Sequence, residues 1–135
     1  MTTSFWIFDL DGTLTRPQHD FDAFKAAVGL PADISILEGI AQASPSRAAQ
    51  LSKQVADWEW SLAEAAEPAD GCHALLRGIS DGSCAILTRN RRDIALKTLA
   101  VIGAHTFFKP ELVLGRDEAE PKPSSAGIEL ILARA

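Results

Sequence analysis

Only two cysteines, Cys72 and Cys84, stand in a chain of 135 residues. That is too few for a disulfide framework, and a chain of this length buries roughly two-thirds of its unfolded surface without one. Both read as small apolar residues in a reducing compartment. No apolar run approaches the roughly 20 residues of a membrane span. The run nearest the amino end, Ser4 to Leu10, is interrupted by Asp9 and follows no basic region, so neither a secretory signal nor a membrane partner is expected and the default location is the cytoplasm. A basic stripe is also missing: 13 Lys and Arg are scattered among 18 Asp and Glu for a net charge of −5, which argues against nucleic acid as a partner. His73 and His105 have no Cys or second His at ligand spacing, so a zinc site is not expected. Internal repeats and low-complexity tracts are absent, and 47% hydrophobic with 23% charged residues fits one ordinary globular fold.

Against these absences stand three short apolar runs closed by turn residues. Ser4-Phe-Trp-Ile-Phe-Asp-Leu10 is rich in aromatic and β-branched residues and ends at Asp11-Gly12, the pattern of a buried strand entering a tight turn. Ser83 to Thr88 and Glu111 to Gly115 repeat the pattern. Between them Ile94, Ala95, Leu99 and Ile102 recur at helical spacing, with Asn90 placed to cap the helix and Gly103 to stop it. Strand, helix, strand in this order predicts a parallel sheet. Residues 17–67 differ: they lack a convincing strand, and helical spacing appears at Phe21, Phe24 and Val28 and again at Ile34, Leu37 and Ile40. Asp33 is placed to cap the second of these helices, and Ser44-Pro45 opens a longer one running past Trp58 to about Glu67. A short helix over about Ala69 to Ile79 and a final one over Ser124 to Ala135, with Ile128, Ile131 and Leu132 on one face, complete the reading. Trp58 and Trp60 cannot share one side of a helix; packing within this helical insertion accounts for them, with a cleft or a subunit contact as the alternative for one.

The residues that carry chemistry begin with Asp9-Leu-Asp11-Gly12-Thr13-Leu14-Thr15. Two carboxylates at positions i and i+2, with a strand ending between them, both reach the carboxyl edge of a parallel sheet, where ligands bind in such folds. Two clustered negative charges are costly unless a cation answers them, and oxygen ligands of this kind favour Mg²⁺. Taken alone, Asp-x-Asp-Gly reads first as a turn carrying solvated acids.

The heptapeptide is accompanied by Thr88, which ends Ala85-Ile-Leu-Thr88, and by Lys122 in Glu120-Pro-Lys-Pro123. These three motifs, in this order, resemble those of the haloacid dehalogenase superfamily. Its phosphatase branch opens with a strand and Asp-x-Asp-Gly-Thr-Leu/Val, continues with a Thr or Ser ending the next core strand, and then places a Lys before Pro ahead of a helix. The resemblance spans the whole chain, and the helical insertion looks like the small cap of phosphoglycolate-phosphatase-like and phosphoglucomutase-like members. It implies an α/β fold: a three-layer Rossmann-like core with a parallel sheet, made of residues 1–16 and 68–135, and a helical cap of residues 17–67 inserted after the first strand. It also implies a Mg²⁺-dependent phosphatase acting on a small phosphorylated metabolite, with a cap that closes over the substrate. Asp9 is then the nucleophile that forms an aspartyl-phosphate, and Asp11 the acid and later the base. Thr88 holds phosphoryl oxygens through its hydroxyl and neighbouring N–H groups, and Lys122 offsets charge between Asp9 and the phosphate. Mg²⁺ is bound by the Asp9 side chain and the Asp11 carbonyl. Asp11 favours phosphoryl transfer over dehalogenation, since halide leaves without a proton.

Gly12 and Thr13 of the same turn are assigned to substrate binding. Arg16 and His19 stand where the cap leaves the core, as contacts to the leaving group or as a solvated hinge. Arg89 is assigned to a phosphate or a second anionic group, or to the surface, and Asn90 to a helix cap or to substrate. A fourth motif of the family, an acid pair supplying a further metal ligand, is not reached before Ala135. The expectation is that the chain is a fragment lacking its C-terminal strands; Asp117, Glu118 and Glu120 are solvated loop acids or substitutes for the missing ligand. Two alternatives remain: a phosphomutase using the same Asp9 and Asp11, and a catalytically silent phosphate-binding or interaction module.

Overall fold

Cys84–Leu87 is apolar at all four positions and buried at all four, the requirement for a strand covered on both faces. It forms β2, the middle of a parallel sheet ordered β1-β2-β3, with β1 at Trp6–Phe8 and β3 at Val113–Leu114. The computed structural model describes residues 4–79, 82–120 and 122–135. Ile7 pairs with Ala85, Phe8 with Ile86 and Leu87 with Leu114. Alternate side chains serve opposite faces: Phe8, Cys84, Ile86 and Val113 join one cluster, while Ile7, Ala85, Leu87 and Leu114 join another. The protein is thus of mixed α and β structure, with three parallel strands and six α-helices among the described residues.

Helices pack on each face of the sheet. α4 (Cys72–Arg77) and α5 (Arg92–Val101) bury Cys72, Leu76, Ala95 and Leu99 in the first cluster. α6 (Ala126–Arg134) buries Ile131 in the second. Gly103, with φ +72, takes the left-handed position just past α5. Both cysteines lie in the first cluster as free thiols; burial pushes the Cys72 thiol up, which keeps it protonated.

Contacts divide the chain into two compact units, Met1–Gln18 with Ala63–Ala135, and His19–Leu62. In the second unit, α1 (Phe21–Val28) starts at Asp20, whose carboxylate accepts from the Ala23 N–H at 3.0 Å, and stops at left-handed Gly29. α2 (Ile36–Gln42) follows, and then α3 (Pro45–Glu64), whose last two residues belong to the first unit. Phe24, Val28 and Leu51 are the buried centre of the unit, and Trp58 stacks on Phe24 at 4.3 Å between ring centroids. Lys25 fastens the link from α1 to α2 by donating to the carbonyls of Ala32 and Ile34 at 3.0 and 3.2 Å.

Several sequence expectations are corrected. α2 is capped by Ser35, whose hydroxyl accepts from the Glu38 N–H at 3.1 Å, and not by Asp33; Leu37 faces solvent. α3 ends at Glu64 instead of about Glu67, because the following backbone pairs with the segment after β1: Arg16 N–H donates to Glu67 O, Ala69 N–H to Leu14 O, and Thr15 bridges Pro68. Asn90 is not the cap of α5, whose N-cap is Arg91. On α6 the inward face is Gly127 and Ile131, with Ile128 and Leu132 exposed, because Gly127 lets the helix backbone close onto Leu87.

Two glycines separate close approach to backbone from close approach to a side chain. A Cβ on Gly115 would stand 2.5 Å from Arg92 N and 2.6 Å from Asn90 O, whereas one on Gly127 would meet the Leu87 methyls. Backbone cannot yield and a leucine can change rotamer, so Gly115→Ala should lower the unfolding free energy by about 2 kcal/mol or more. Gly127→Ala, helped by helix propensity, should cost less than about 1 kcal/mol. Urea denaturation of both variants checks the order.

Candidate active site

Because the strands are parallel, their carboxyl ends share one edge, and the chain leaves β1 there through Asp9. Fully buried Leu10 pins the turn that follows: its carbonyl accepts from the N–H groups of Thr13, Leu14 and Thr15 at 3.1, 3.0 and 3.3 Å. Gly12 sits at φ +78, a conformation other residues reach only with strain, and its N–H donates to Thr15 Oγ1 at 3.1 Å. Asp9 and Asp11 therefore project from either side of an anchored residue.

β2 contributes the next part of the site. Thr88 is buried, its N–H donates to the Leu114 carbonyl at 3.0 Å, and its Oγ1 accepts from the Asn90 N–H at 3.1 Å. Asn90, 8% exposed, donates from Nδ2 to Asp11 Oδ2 at 3.4 Å and accepts at Oδ1 from the Arg91 N–H at 2.8 Å. Its carbonyl accepts from the Arg116 N–H at 2.9 Å. From the segment before α6, Lys122 Nζ reaches Asp9 Oδ1 at 3.1 Å, across 113 positions of sequence.

The two carboxylates are thus answered differently. Asp9 receives a full positive charge and Asp11 a neutral amide donor. Asp9, 47% exposed, and Lys122, 30% exposed, meet where water still screens them, which puts the pair in the range of about 0–1 kcal/mol of stability.

The structure brings Asp9 together with Lys122, and Asp11 together with Asn90, whose own N–H bonds to Thr88. It engages the Thr88 and Asn90 N–H groups internally, so Thr88's own contribution to a bound oxygen is its O–H. Gly12 and Thr13 are exposed on the turn. Arg89 is exposed between two buried side chains and makes no ion pair among the described residues. Arg16 is drawn elsewhere, to Glu67 at 2.9 Å and Asp70 at 3.1 Å. His19 belongs to the second unit, stacked on Phe21 and edge-on to Trp58. Glu118 turns back to accept from the Gly115 N–H at 2.8 Å, while Asp117 and Glu120 are exposed.

Sequence reasoning missed Thr15 and Gly115. A hydroxyl three residues after the turn glycine was a usable signal for Thr15; a lone glycine ending a strand told nothing about what presses against it. As to metal, the Asp9 carboxylate and the Asp11 main-chain carbonyl are hard oxygen donors of the kind Mg²⁺ takes. Among the described residues no three His, Cys, Asp or Glu gather into a closed metal cluster.

No protein-family model matches the chain, and no curated protein matches it. No helix among the described residues is long and apolar enough to cross a membrane. The arrangement itself offers an exposed carboxylate beside an ammonium, a second carboxylate two residues on, and a buried hydroxyl at the same edge: the groups needed for attack, proton transfer and charge neutralisation. If Lys122 is there for chemistry, its removal should leave stability nearly intact. Lys122→Ala is expected to change the unfolding free energy by less than about 1 kcal/mol in urea denaturation; a loss of several kcal/mol would make the ion pair structural.

Proposed function

We propose that the protein is a Mg²⁺-dependent phosphatase of the haloacid dehalogenase type, acting on a small phosphomonoester, with a three-layer Rossmann-like core and residues 17–67 as its helical cap. The observation that carries this reading is the contact of Lys122 with Asp9 at the carboxyl edge of the parallel sheet, beside a second carboxylate at Asp11. Without a cation so placed, Asp9 would repel a phosphate dianion at attack distance. The buried thiols of Cys72 and Cys84 accord with a reducing, cytoplasmic setting.

Lys122 holds Asp9 Oδ1 and leaves Oδ2 to attack phosphorus. The new bond joins Oδ2 to phosphorus as the bond to the ester oxygen breaks, and the Asp11 carboxyl gives its proton to that oxygen. Water then attacks the same phosphorus, Asp11 takes a proton from it, and Asp9 is released with inorganic phosphate. Thr88 donates its O–H to a phosphoryl oxygen. Bound Mg²⁺ would neutralise charge on the transferring group, held by the Asp9 carboxylate and the Asp11 carbonyl.

Phosphate release from a panel of small phosphomonoesters, with and without Mg²⁺, tests the reading. Asp9→Asn should lose at least about a thousandfold in turnover, roughly 4 kcal/mol of transition-state stabilisation. Lys122→Arg should retain more activity than Lys122→Ala, since the task depends on charge more than on geometry. Absence of Mg²⁺-dependent release from every ester, or Asp9→Asn within tenfold of wild type, would refute it.

A further inference from the structure

We infer that Asn90 is a positioning residue: it holds the Asp11 carboxylate in the orientation from which Asp11 serves the leaving oxygen, an inference that rests on the phosphatase reading. The sequence offered Asn90 as a helix cap or a substrate contact, and the structure spends its polar groups differently. Nδ2 donates to Asp11, Oδ1 accepts from Arg91, the N–H donates to Thr88 Oγ1, and the carbonyl accepts from Arg116. With those four groups engaged inside the protein and the side chain nearly buried, Asn90 acts through Asp11, not on the substrate. Its own position is enforced from behind. β3 ends at Leu114 and is followed by Gly115, whose missing side chain lets the chain press to within a Cβ's clash distance of the Asn90 carbonyl and the Arg92 nitrogen. The Thr88 N–H bond to the Leu114 carbonyl closes the same seam. Asp11 stands on an exposed turn, and a carboxylate there has rotamer freedom that a proton donor cannot use. One amide, on a residue held by the Thr88 hydroxyl after β2 and the Arg116 N–H after β3, removes that freedom.

The distinguishing readout is the leaving group. p-Nitrophenolate departs without a proton, whereas an alkoxide needs one, so a defect confined to Asp11 appears with alkyl phosphates and spares p-nitrophenyl phosphate. Asn90→Ala should lose about tenfold or more in kcat with an alkyl phosphate relative to p-nitrophenyl phosphate, with KM little changed, in the pattern of Asp11→Asn. Asn90→Asp, which keeps size but replaces the donor with a second carboxylate, should show the same selectivity and guards against a packing defect in the alanine variant. Equal loss on both substrates, or no loss, would overturn the inference and leave the phosphatase reading standing. A wild type inactive toward both would instead overturn the phosphatase reading and the inference that rests on it. The contact itself is read without turnover: the Asn90 side-chain amide resonances should move in Asp11→Ala, and unmoved resonances would overturn the inference.

Discussion

The parallel pairing of β1, β2 and β3 is the constraint on which the rest depends. Antiparallel strands would send Asp9 and Thr88 to opposite ends of the sheet; parallel ones deliver both to a single edge, along with the Gly115 turn. Parallel strands in turn require crossovers and coverage on both faces, which α5 and α6 and the apolar sequence of β2 provide. The ladder is short, and each link is reinforced beyond it. Trp6 N–H bonds to the Ser83 carbonyl before the pairing begins, and Thr88 N–H to Leu114 O after it ends.

At that edge the protein manages two acids two residues apart without burying either as an unpaired charge. Burial of a lone carboxylate would cost several kcal/mol. Asp9 stays half exposed and gains an ammonium, while Asp11 stays on the turn and gains an amide. Net charge is −5, so the field of the whole chain repels an anion at long range, and the ammonium of Lys122 is the positive charge that meets Asp9 at the edge. Arg16, by contrast, is already neutralised by Glu67 and Asp70 and offers an anion little.

Those parts of the fold governed by neighbours in sequence were legible in it. The β1 run ends where Asp and Gly make a turn cheap, and Gly103 stops α5 because only glycine takes a left-handed φ freely there. Caps were harder: Asp33 and Ser35 are both good N-caps two positions apart, and spacing alone does not say which one the first turn will use. Readings failed where a distant element decided. Counting large apolar residues gave α6 the face of Ile128, Ile131 and Leu132; Ile131 is buried, but the seam runs from it through Gly127, a residue with no side chain to count, and leaves the other two exposed. Asn90 looked like a cap because it precedes a helix; its partner Asp11 lies 79 positions away. The Lys122 contact with Asp9 was expected only through family resemblance, since nothing local to Glu120-Pro-Lys-Pro123 points to residue 9.

The proposed chemistry turns on one covalent bond, between Asp9 and phosphorus, and that bond is open to direct trapping. The protein would be mixed with a turning-over phosphomonoester and Mg²⁺, quenched with borohydride, which reduces an acyl phosphate to the alcohol, and digested for peptide mass analysis. Homoserine is expected at position 9, formed only when substrate is present. Phosphate release with Asp9 recovered unreduced, or reduction at another carboxylate, would contradict it.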